Sequence, residues 1–349
     1  MKAAVLHGKG DIRYEVVPDP VPGPGEAIIR VKAAGICGSD LPRVNEGAAR
    51  FFPIILGHEF SGVVEALGPG VEGLRVGDRA TAAPLVPCMA CGDCQKGRYA
   101  LCRDYRFIGS SLDGAFADLV RVPARGAVAF PDSVPFEQGA FFEPATVALH
   151  GLFAADFRPG GDVAVLGGGT VGLFALQWAL LLGARRVAVF DVSPERLELA
   201  LRLGAARAFD TRGEGFAEDA LDMTGGNGFG HVFETAGRNV TMSMAFELAA
   251  NRASVCFIGT SPEDLRFGWR LFEKMNRKEF RLTGSWMSYS APFPGREWTM
   301  TAERFGDGGL RFEPALICRK LPMSGAGDAF GLFRIPGAVN GKIMLVNQD

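Results

Sequence analysis

The sequence has little charge imbalance and no long apolar run, and each shortage excludes a class of protein. The formal net charge of the 349 residues is −2, which argues against a nucleic-acid platform or an anionic-membrane surface. The longest apolar run, 173–182, contains Gln177 and is shorter than the roughly 18 residues of a membrane-spanning helix. Residues 1–7 carry too few apolar side chains for a signal peptide. We therefore expect a soluble, cytoplasmic chain.

Disulfides are not expected either. The 7 cysteines occur without an export signal, and cysteine clusters in a reducing compartment bind metals more often than they pair. With 48% apolar and 22% charged residues, a chain of this length can bury a sizeable core and form two domains. The 47 glycines punctuate short strands, and no repeat period is visible.

Four of the cysteines are clustered, with the spacing C-x2-C-x2-C-x7-C, at Cys88, Cys91, Cys94 and Cys102. Four thiolates this close together form a closed tetrahedral cage, which is the arrangement of structural zinc. An iron–sulfur cluster is the alternative, because bacterial ferredoxins begin with the same C-x2-C-x2-C run. That run continues with x3-C-P, whereas here the gap is seven residues and Arg103 follows. The spacing therefore predicts a structural zinc lobe without chemistry of its own.

A second metal site is predicted from residues that lie far apart in the sequence. The segment Gly57-His58-Glu59 places an imidazole beside a carboxylate, at a spacing that suits a loop-to-strand junction better than a helix face. Cys37 adds a thiolate and Glu143 a second carboxylate. Cys37, His58 and Glu143 make a mixed donor set that suits zinc, and three protein ligands leave one position open for catalysis. Glu59 would brace the same centre.

Residues 162–191 have the order of a dinucleotide-binding unit. A short apolar strand leads into a glycine-rich turn and an apolar helix, and a second apolar strand follows. This order makes the fingerprint strong, although G-x-G-x-x-G alone is weak evidence. The pyrophosphate would lie at the helix N-terminus, where about half a positive charge resides. The candidate cofactor contacts in this turn are Gly167, Gly169, Thr170, Val171 and Gly172.

An acidic residue ends the second strand. Asp191 follows Gly172 by 19 residues, where it would accept hydrogen bonds from the adenosine ribose and repel a 2′-phosphate. NAD is therefore favoured over NADP, and Arg196 nearby keeps NADP open as an alternative. A simpler role for Asp191, capping the next helix together with Ser193, is the other interpretation.

The alternation of strands and helices continues to about residue 288, whereas the flanking segments are β-rich. We therefore expect an α/β protein with a discontinuous zinc-binding catalytic domain over 1–152 and 289–349. A doubly wound parallel sheet over 153–288 would bind NAD.

Taken together, these motifs resemble those of the zinc-dependent medium-chain dehydrogenases. The resemblance covers nearly the whole chain and rests on 37–43, 57–62, the four-cysteine lobe and the glycine-rich unit. It implies a GroES-like catalytic domain and a Rossmann domain. It also implies Cys37, His58 and Glu143 as catalytic zinc ligands, with Glu59 able to exchange onto the metal. Zinc acidifies a hydroxyl that it holds, which suits oxidation of an alcohol by hydride transfer to nicotinamide.

The resemblance assigns further roles at the same site. Asp40 would orient His58 through its second ring nitrogen. Ser39 would bond the substrate hydroxyl and begin the proton exit. Several relatives place a histidine a few residues after this serine, whereas this chain has Pro42 there. The proton must then leave by water, by the cofactor ribose, or by Glu59 or Glu143.

The segment 284–298 is similar to that of polyol-phosphate dehydrogenases within the family. It implies oxidation of a polyol or polyol phosphate to a ketose, with galactitol 1-phosphate going to tagatose 6-phosphate. Ser111 and Leu112 stand where basic residues are expected, which weakens the phosphate assignment. The candidate phosphate partners are Arg43, Lys274 and Arg296.

Several alternatives stay open. Sorbitol, L-idonate or L-threonine would be oxidised on the same scaffold, and a regulatory protein that binds NAD and zinc is the non-enzyme alternative. Aromatic enrichment over 286–298 favours an interface, so we expect a homodimer or homotetramer.

Overall fold

The structure is a computed structural model that describes residues 1–347. It divides into two compact units. Unit 1 comprises Met1–Glu143, Tyr289–Gly308 and the chain from Phe312 onward, and unit 2 comprises Pro144–Ser288 and Gly309–Arg311. The boundary predicted at 152/153 and the division at 143/144 both lie within one helix, Phe142–Ala154.

The elements are numbered in chain order. The strands are β1 (Lys2–Gly8), β2 (Asp11–Val16), β3 (Glu26–Gly35), β4 (Ile54–Ile55), β5 (Glu59–Leu67), β6 (Arg79–Ala82), β7 (Leu85–Val86), β8 (Arg106–Phe107), β9 (Leu119–Pro123), β10 (Ala127–Ala129), β11 (Asp162–Leu166), β12 (Arg186–Asp191), β13 (Arg207–Asp210), β14 (Phe229–Glu234), β15 (Ala249–Phe257), β16 (Arg281–Gly284), β17 (Ile317–Pro322) and β18 (Lys342–Val346). The helices are α1 (Asp40–Asn45), α2 (Gly92–Gln95), α3 (Phe136–Gly139), α4 (Phe142–Ala154), α5 (Thr170–Leu181), α6 (Pro194–Arg202), α7 (Phe216–Met223), α8 (Asn239–Leu248), α9 (Trp269–Lys278), α10 (Arg296–Gly306) and α11 (Ala326–Leu332).

Unit 1 is built around strand β3. This strand pairs with β5, β9 and β18 in a seven-stranded sheet, and its apolar residues, Ile29 and Val31 among them, are buried in the core. A three-stranded sheet, β2-β1-β4, and the short pair β7-β8 complete the unit's sheets. In the register of the large sheet, Gly35 at the end of β3 lies opposite Glu59 on one side and Met344 on the other. The end of β3, the start of β5 and the strand β18 therefore meet at one place.

Unit 2 is organised by a six-stranded sheet in the order β13-β12-β11-β14-β15-β16, with every pair parallel. Every residue of β11 is buried, as expected for a parallel strand covered on both faces. The chain order runs outward from β11 in both directions, so the sheet is doubly wound and its switch point lies between β11 and β14. Ligands of such sheets bind at the carboxyl ends of the strands at this point.

The helices of unit 2 follow from local sequence. Helix α5 is apolar on nearly all sides and is mostly buried, whereas α6 begins with Ser193 as its N-cap and Pro194 in its first turn. Within residues 1–347, no helix is both long and apolar enough to cross a membrane.

Candidate active site

Three ligand-type side chains meet where β3 ends and β5 begins. Single donor atoms of Cys37, His58 and Glu59 all lie within 4.8 Å of one another. His58 and Glu59 are buried and Cys37 is half-buried. Glu59 is the first residue of β5, so the predicted loop-to-strand junction is confirmed. A thiol sulfur, an imidazole nitrogen and a carboxylate oxygen at this spacing are a donor set that zinc accepts.

Asp40 lies behind this set and is fully buried. One carboxylate oxygen, Oδ1, is 3.6 Å from Nδ1 of His58, and Oδ2 accepts a hydrogen bond from the Cys37 backbone at 3.4 Å. Because Nδ1 faces Asp40, Nε2 is the ring nitrogen left for a metal. Burial raises the pKa of Asp40, although His58 and Arg43 oppose the rise.

Sequence reasoning missed Lys342, the first residue of β18. Its ammonium Nζ lies 2.5 Å from Oε2 of Glu59 and donates to the carbonyl of Ile36 at 3.1 Å. Burial alone would lower the pKa of Lys342, yet Glu59 and Cys37 reverse this and raise it. A side chain on Gly35 would come within 2.6 Å of the Glu59 carboxylate, so this close approach requires glycine. The only sequence signal was a single lysine at the head of an apolar strand.

Glu143, in the first turn of α4, is not a member of the close ligand set within residues 1–347. Burial, reinforced by the charges of Glu59 and Asp40, raises its pKa to about 7, against His58 and Lys342. Burial and then Glu59 likewise raise the pKa of the Cys37 thiol. Glu143 therefore interacts electrostatically with the pocket, while Glu59 is the carboxylate beside Cys37 and His58.

Ser39 presents an exposed hydroxyl next to the sulfur of Cys37. Its Oγ donates to Sγ of Cys37 at 3.3 Å. The guanidinium of Arg43 donates from Nη1 to the carbonyl of Ser39 at 3.0 Å, to Oγ of Ser39 at 3.4 Å and to Oδ1 of Asp40 at 2.9 Å. One cationic group thus holds the two residues predicted to flank the metal. Arg43 is half-buried.

Two other positions bear on the predicted phosphate contact. Lys274 on α9 forms an ion pair with Glu247 on α8. Ser111 accepts a hydrogen bond from the backbone of Phe107 at 2.8 Å, and the Phe107 ring packs edge-on against His58 with centroids 5.4 Å apart. Ser111 therefore holds Phe107, which contacts the pocket, but Ser111 itself supplies no positive charge. Of the candidate phosphate partners, Arg43 lies beside the ligand set, whereas Lys274 is paired with Glu247.

The four-cysteine lobe forms a second cluster. The four sulfurs lie within 4.8 Å of one another, and all 7 cysteines are free thiols. The backbone N–H of Cys91 donates to Sγ of Cys88, and that of Cys88 donates to Sγ of Cys102, both at 3.3 Å. Backbone N–H groups of Cys94 and Arg103 lower the pKa of the Cys91 thiol to about 6. A closed set of four thiol ligands fits a structural zinc ion.

The glycine-rich turn of unit 2 has the shape that a dinucleotide requires. Gly167 has φ of 105°, and a side chain on Gly172 would come within 1.8 Å of the Gly167 carbonyl. Thr170 and Val171 form the first turn of α5. The half-buried N-terminus of α5 and the close turn before it together suit a pyrophosphate.

Asp191 is the last residue of β12 and faces this turn. Oδ2 accepts from the backbone of Gly168 at 2.6 Å and lies 3.6 Å from Arg196. Oδ1 accepts from the backbone N–H groups of Val192 and Ser193. The cap of α6 is Ser193, so Asp191 is joined to the glycine turn instead of serving only as a helix cap.

Comparisons with known proteins agree with this geometry. Residues 23–132 match the family model of the alcohol dehydrogenase GroES-like domain, and residues 170–303 match that of zinc-binding dehydrogenase. The chain is 38% identical to galactitol 1-phosphate 5-dehydrogenase of Escherichia coli (strain K12), over 99% of this chain and 100% of the relative. It is 35% identical to sorbitol dehydrogenase of Bacillus subtilis (strain 168), over 74% of this chain and 75% of the relative.

Solved structures give the same result. The crystal structure of galactitol-1-phosphate dehydrogenase from Escherichia coli superposes with a TM-score of 0.93 and 37% identity, over 99% of this chain and 100% of that one. A zinc-binding dehydrogenase from Sinorhizobium meliloti 1021 bound to NADP superposes with a TM-score of 0.89 and 32% identity, over 99% and 98%. These matches confirm the predicted pairing of a GroES-like β-rich region with a Rossmann sheet.

Proposed function

This chain belongs to the zinc-dependent dehydrogenase family, and from that premise we propose that it oxidises a secondary alcohol of a polyol or polyol phosphate to a ketose with NAD. The observation that carries the proposal is the close set formed by Cys37, His58 and Glu59. Its three donor types suit zinc, and three protein ligands leave one position for the substrate hydroxyl.

The substrate that we propose first is galactitol 1-phosphate, which would give tagatose 6-phosphate. Whole-length identity of 38% to galactitol 1-phosphate 5-dehydrogenase supports it, and so does the cationic Arg43 beside the ligand set. Sorbitol is the second candidate, supported by the identity to sorbitol dehydrogenase and by the neutral Ser111 and Leu112. L-Idonate and L-threonine are weaker alternatives.

The residues of unit 1 have separate roles at the proposed zinc site. Cys37, His58 and Glu59 would hold the ion, with Glu143 as the alternative carboxylate ligand. Zinc bound there supplies the Lewis acidity that makes a substrate hydroxyl easier to deprotonate. Asp40 would keep His58 in the tautomer whose Nε2 is free, and Lys342 would hold the Glu59 carboxylate in place. Ser39 accepts the hydrogen bond of the substrate hydroxyl.

The proton then leaves from Ser39. Pro42 cannot relay it, and Arg43 stays protonated at any working pH, so water beside the exposed Ser39 is the exit that we propose. The Arg43 guanidinium next to Oγ of Ser39 favours loss of a proton there.

In unit 2, the proposed NAD contacts are those of the glycine turn and α5. Bound NAD supplies the hydride acceptor, and the chain supplies its position. The Asp191 carboxylate favours the free ribose hydroxyls of NAD, although Arg196 lies 3.6 Å from it and the Sinorhizobium meliloti structure holds NADP. We expect kcat/KM with NAD to exceed that with NADP at least tenfold. Equal values would overturn this part of the proposal.

Three further assignments belong to the proposal. The four-cysteine lobe would hold a structural zinc, giving two zinc ions per chain. The chain would form a homodimer or homotetramer, for which half-exposed Trp286 is one candidate contact, and sedimentation measures this directly. A cytoplasmic location accords with 7 free cysteines.

One experiment tests the proposed function. NADH formation is followed at 340 nm with galactitol 1-phosphate, galactitol, sorbitol, L-idonate and L-threonine, with and without a chelator. We expect the largest kcat/KM with galactitol 1-phosphate and loss of activity after zinc removal. Equal or better use of the free polyols would overturn the phosphate assignment. No turnover of any substrate by zinc-loaded protein that binds NAD would favour the regulatory alternative.

A further inference from the structure

The dinucleotide-binding sheet contains a buried carboxyl group that the proposed reaction does not use. Glu234 is the last residue of β14 and is 0% exposed. Within residues 1–347 its side chain forms no ion pair, and the groups that donate hydrogen bonds to it are uncharged. A buried acid without a cation is costly and therefore calls for a function.

The two oxygens of this carboxyl group have different surroundings. Oε1 accepts hydrogen bonds from the backbone N–H groups of Ala236 and Gly237, both at 2.9 Å, and from the hydroxyl of Thr241 at 2.7 Å. Oε2 has no hydrogen-bond partner among the described residues. Burial raises the pKa of Glu234. Hydrogen bonds from the Thr241 hydroxyl and from the backbone N–H groups of Gly237, Ala236 and Arg238 favour the ionised form and oppose part of this rise.

The bare oxygen lies against glycine backbone. An added Cβ on Gly259 would lie 2.7 Å from Oε2 of Glu234 and 2.3 Å from the backbone nitrogen of Gly237. These glycines belong to the turns that follow β15 and β14. The carboxyl group is therefore packed against the backbone of the turns at the carboxyl ends of β14 and β15.

The position of β14 in the sheet decides which half of a dinucleotide is affected. The switch point lies between β11 and β14, and a dinucleotide lies across the strand ends there. Asp191 on β12 marks the adenosine side, and the glycine turn after β11 marks the pyrophosphate. The nicotinamide half therefore belongs to the side of β14 and β15.

We infer that Glu234 sets the preference of this site for oxidised over reduced cofactor by holding an uncompensated negative charge on the nicotinamide side of the sheet. The inference rests on the proposed use of NAD. The nicotinamide ring is positively charged in NAD+ and neutral in NADH, so a fixed negative charge stabilises only the oxidised form. Because no cation pairs with Glu234 among residues 1–347 and its side chain is fully buried, that charge is weakly screened.

The test compares the affinities for NAD+ and NADH in the full-length zinc-loaded protein. NADH binding is followed by its fluorescence, and NAD+ binding by competition with NADH. Glu234→Gln keeps the shape and an oxygen that accepts hydrogen bonds but removes the charge. We expect the Kd for NAD+ to rise at least fivefold while the Kd for NADH changes less than twofold. A purely structural effect of the substitution would weaken the binding of NAD+ and NADH equally.

Two further variants keep the inference falsifiable. Thr241→Val retains the carboxyl group but removes one donor that favours its ionised form. The ratio of the Kd for NAD+ to the Kd for NADH should therefore rise about twofold. Asp162→Asn is the matched control, because Asp162 is a buried acid at the amino end of β11, paired with Arg185 and Arg186. Its ratio should stay unchanged.

The outcomes separate two failures. A wild-type protein that binds neither NAD+ nor NADH overturns the proposed cofactor, and the inference with it. If the wild-type protein binds both forms and the ratio of the Kd for NAD+ to the Kd for NADH is unchanged in both Glu234→Gln and Thr241→Val, the inference alone is overturned. A shift of equal size in Asp162→Asn also overturns it.

Discussion

The pocket of unit 1 and strand β14 of unit 2 surround their buried ionisable groups in opposite ways. In unit 1, Asp40, His58, Glu59 and Lys342 are all buried beside one half-buried thiol, with Asp40 3.6 Å from His58 and Lys342 2.5 Å from Glu59. In unit 2, His231 and Glu234 are buried on the same strand, and neither forms an ion pair within residues 1–347. The crowded pocket of unit 1 has the composition of a metal site, whereas the two buried groups on β14 accept hydrogen bonds from uncharged donors.

The largest expected effect tests the interpretation of the unit 1 pocket as a metal site. Cys37→Ser replaces a soft thiolate ligand with a hydroxyl, which we expect to lower kcat about a thousandfold through loss of bound zinc. The Kd for NADH, measured by fluorescence, should stay within twofold of wild type. Cys318→Ser is the control, because Cys318 is half-buried in unit 1 and is not in either ligand set. Near-native kcat in Cys37→Ser would contradict the zinc assignment.

Removing the cation of the pocket should have the next largest effect. Lys342→Met leaves the buried carboxylate of Glu59 without its partner, so we expect zinc affinity and kcat to fall by about 10- to 100-fold. Zinc content after dialysis against a graded chelator measures the first. Lys320→Met is the matched control on the neighbouring strand β17, where Lys320 forms an exposed ion pair with Glu137. If both variants retained zinc equally, Lys342 would have no role at the metal.

The burial of His231 in unit 2 is tested by the pH dependence of stability. Burial is the main cause that lowers the pKa of His231, to about 4, so the folded state keeps this imidazole neutral while the unfolded chain, with a pKa near 6.5, takes up a proton. Stability is therefore lost as pH falls from about 6.5 towards 4. Between pH 7 and pH 5 the loss from this residue is roughly 2 kcal/mol.

Urea unfolding at the two pH values measures this loss. The variant His231→Gln has no imidazole to titrate, and its free energy of unfolding should depend less on pH by that amount. His7→Gln is the control, because His7 is only partly buried and pairs with Glu15. The same pH dependence in wild type and His231→Gln would show that His231 is not the group responsible.

The smallest expected effect sharpens the choice of substrate. Arg43→Gln removes the cation beside Ser39. We expect the ratio of kcat/KM for galactitol 1-phosphate to that for galactitol to fall about fivefold, which corresponds to the loss of one charge-assisted contact of a half-buried side chain. Steady-state kinetics with both substrates measure this ratio. A uniform loss for both substrates would assign Arg43 to holding Ser39 and Asp40, with no phosphate contact.

Local features of this chain were predictable and assembled ones were not. The four-cysteine lobe and the glycine turn lie within short segments, so cysteine spacing predicted the first and the order of strand, turn and helix predicted the second. The meeting of Cys37 with His58 was predicted from residue chemistry, because few other residues suit zinc. Which carboxylate joins them depends on the pairing of β3 with β5, and a sequence does not state strand register. Glu143, the predicted ligand, remains a prediction, while Glu59 is the carboxylate within the close set.

Two residues lacked any motif. The role of Lys342 is apparent only from the pairing of β18 with β3, which brings its ammonium to Glu59. Glu234 reads as an ordinary strand end in the sequence, and only its burial and bare oxygen single it out. Such groups depend on three-dimensional surroundings, which hydrophobic periodicity does not encode.

The location of Lys342 has a consequence for how the protein is made. Because β18 is the last of the described strands, its lysine leaves the ribosome after every other member of the pocket has been synthesised. A polypeptide that stops short of it would lack the ammonium that pairs with Glu59, the residue opposite the end of β3. Premature termination or C-terminal trimming would therefore yield a molecule that retains its metal poorly.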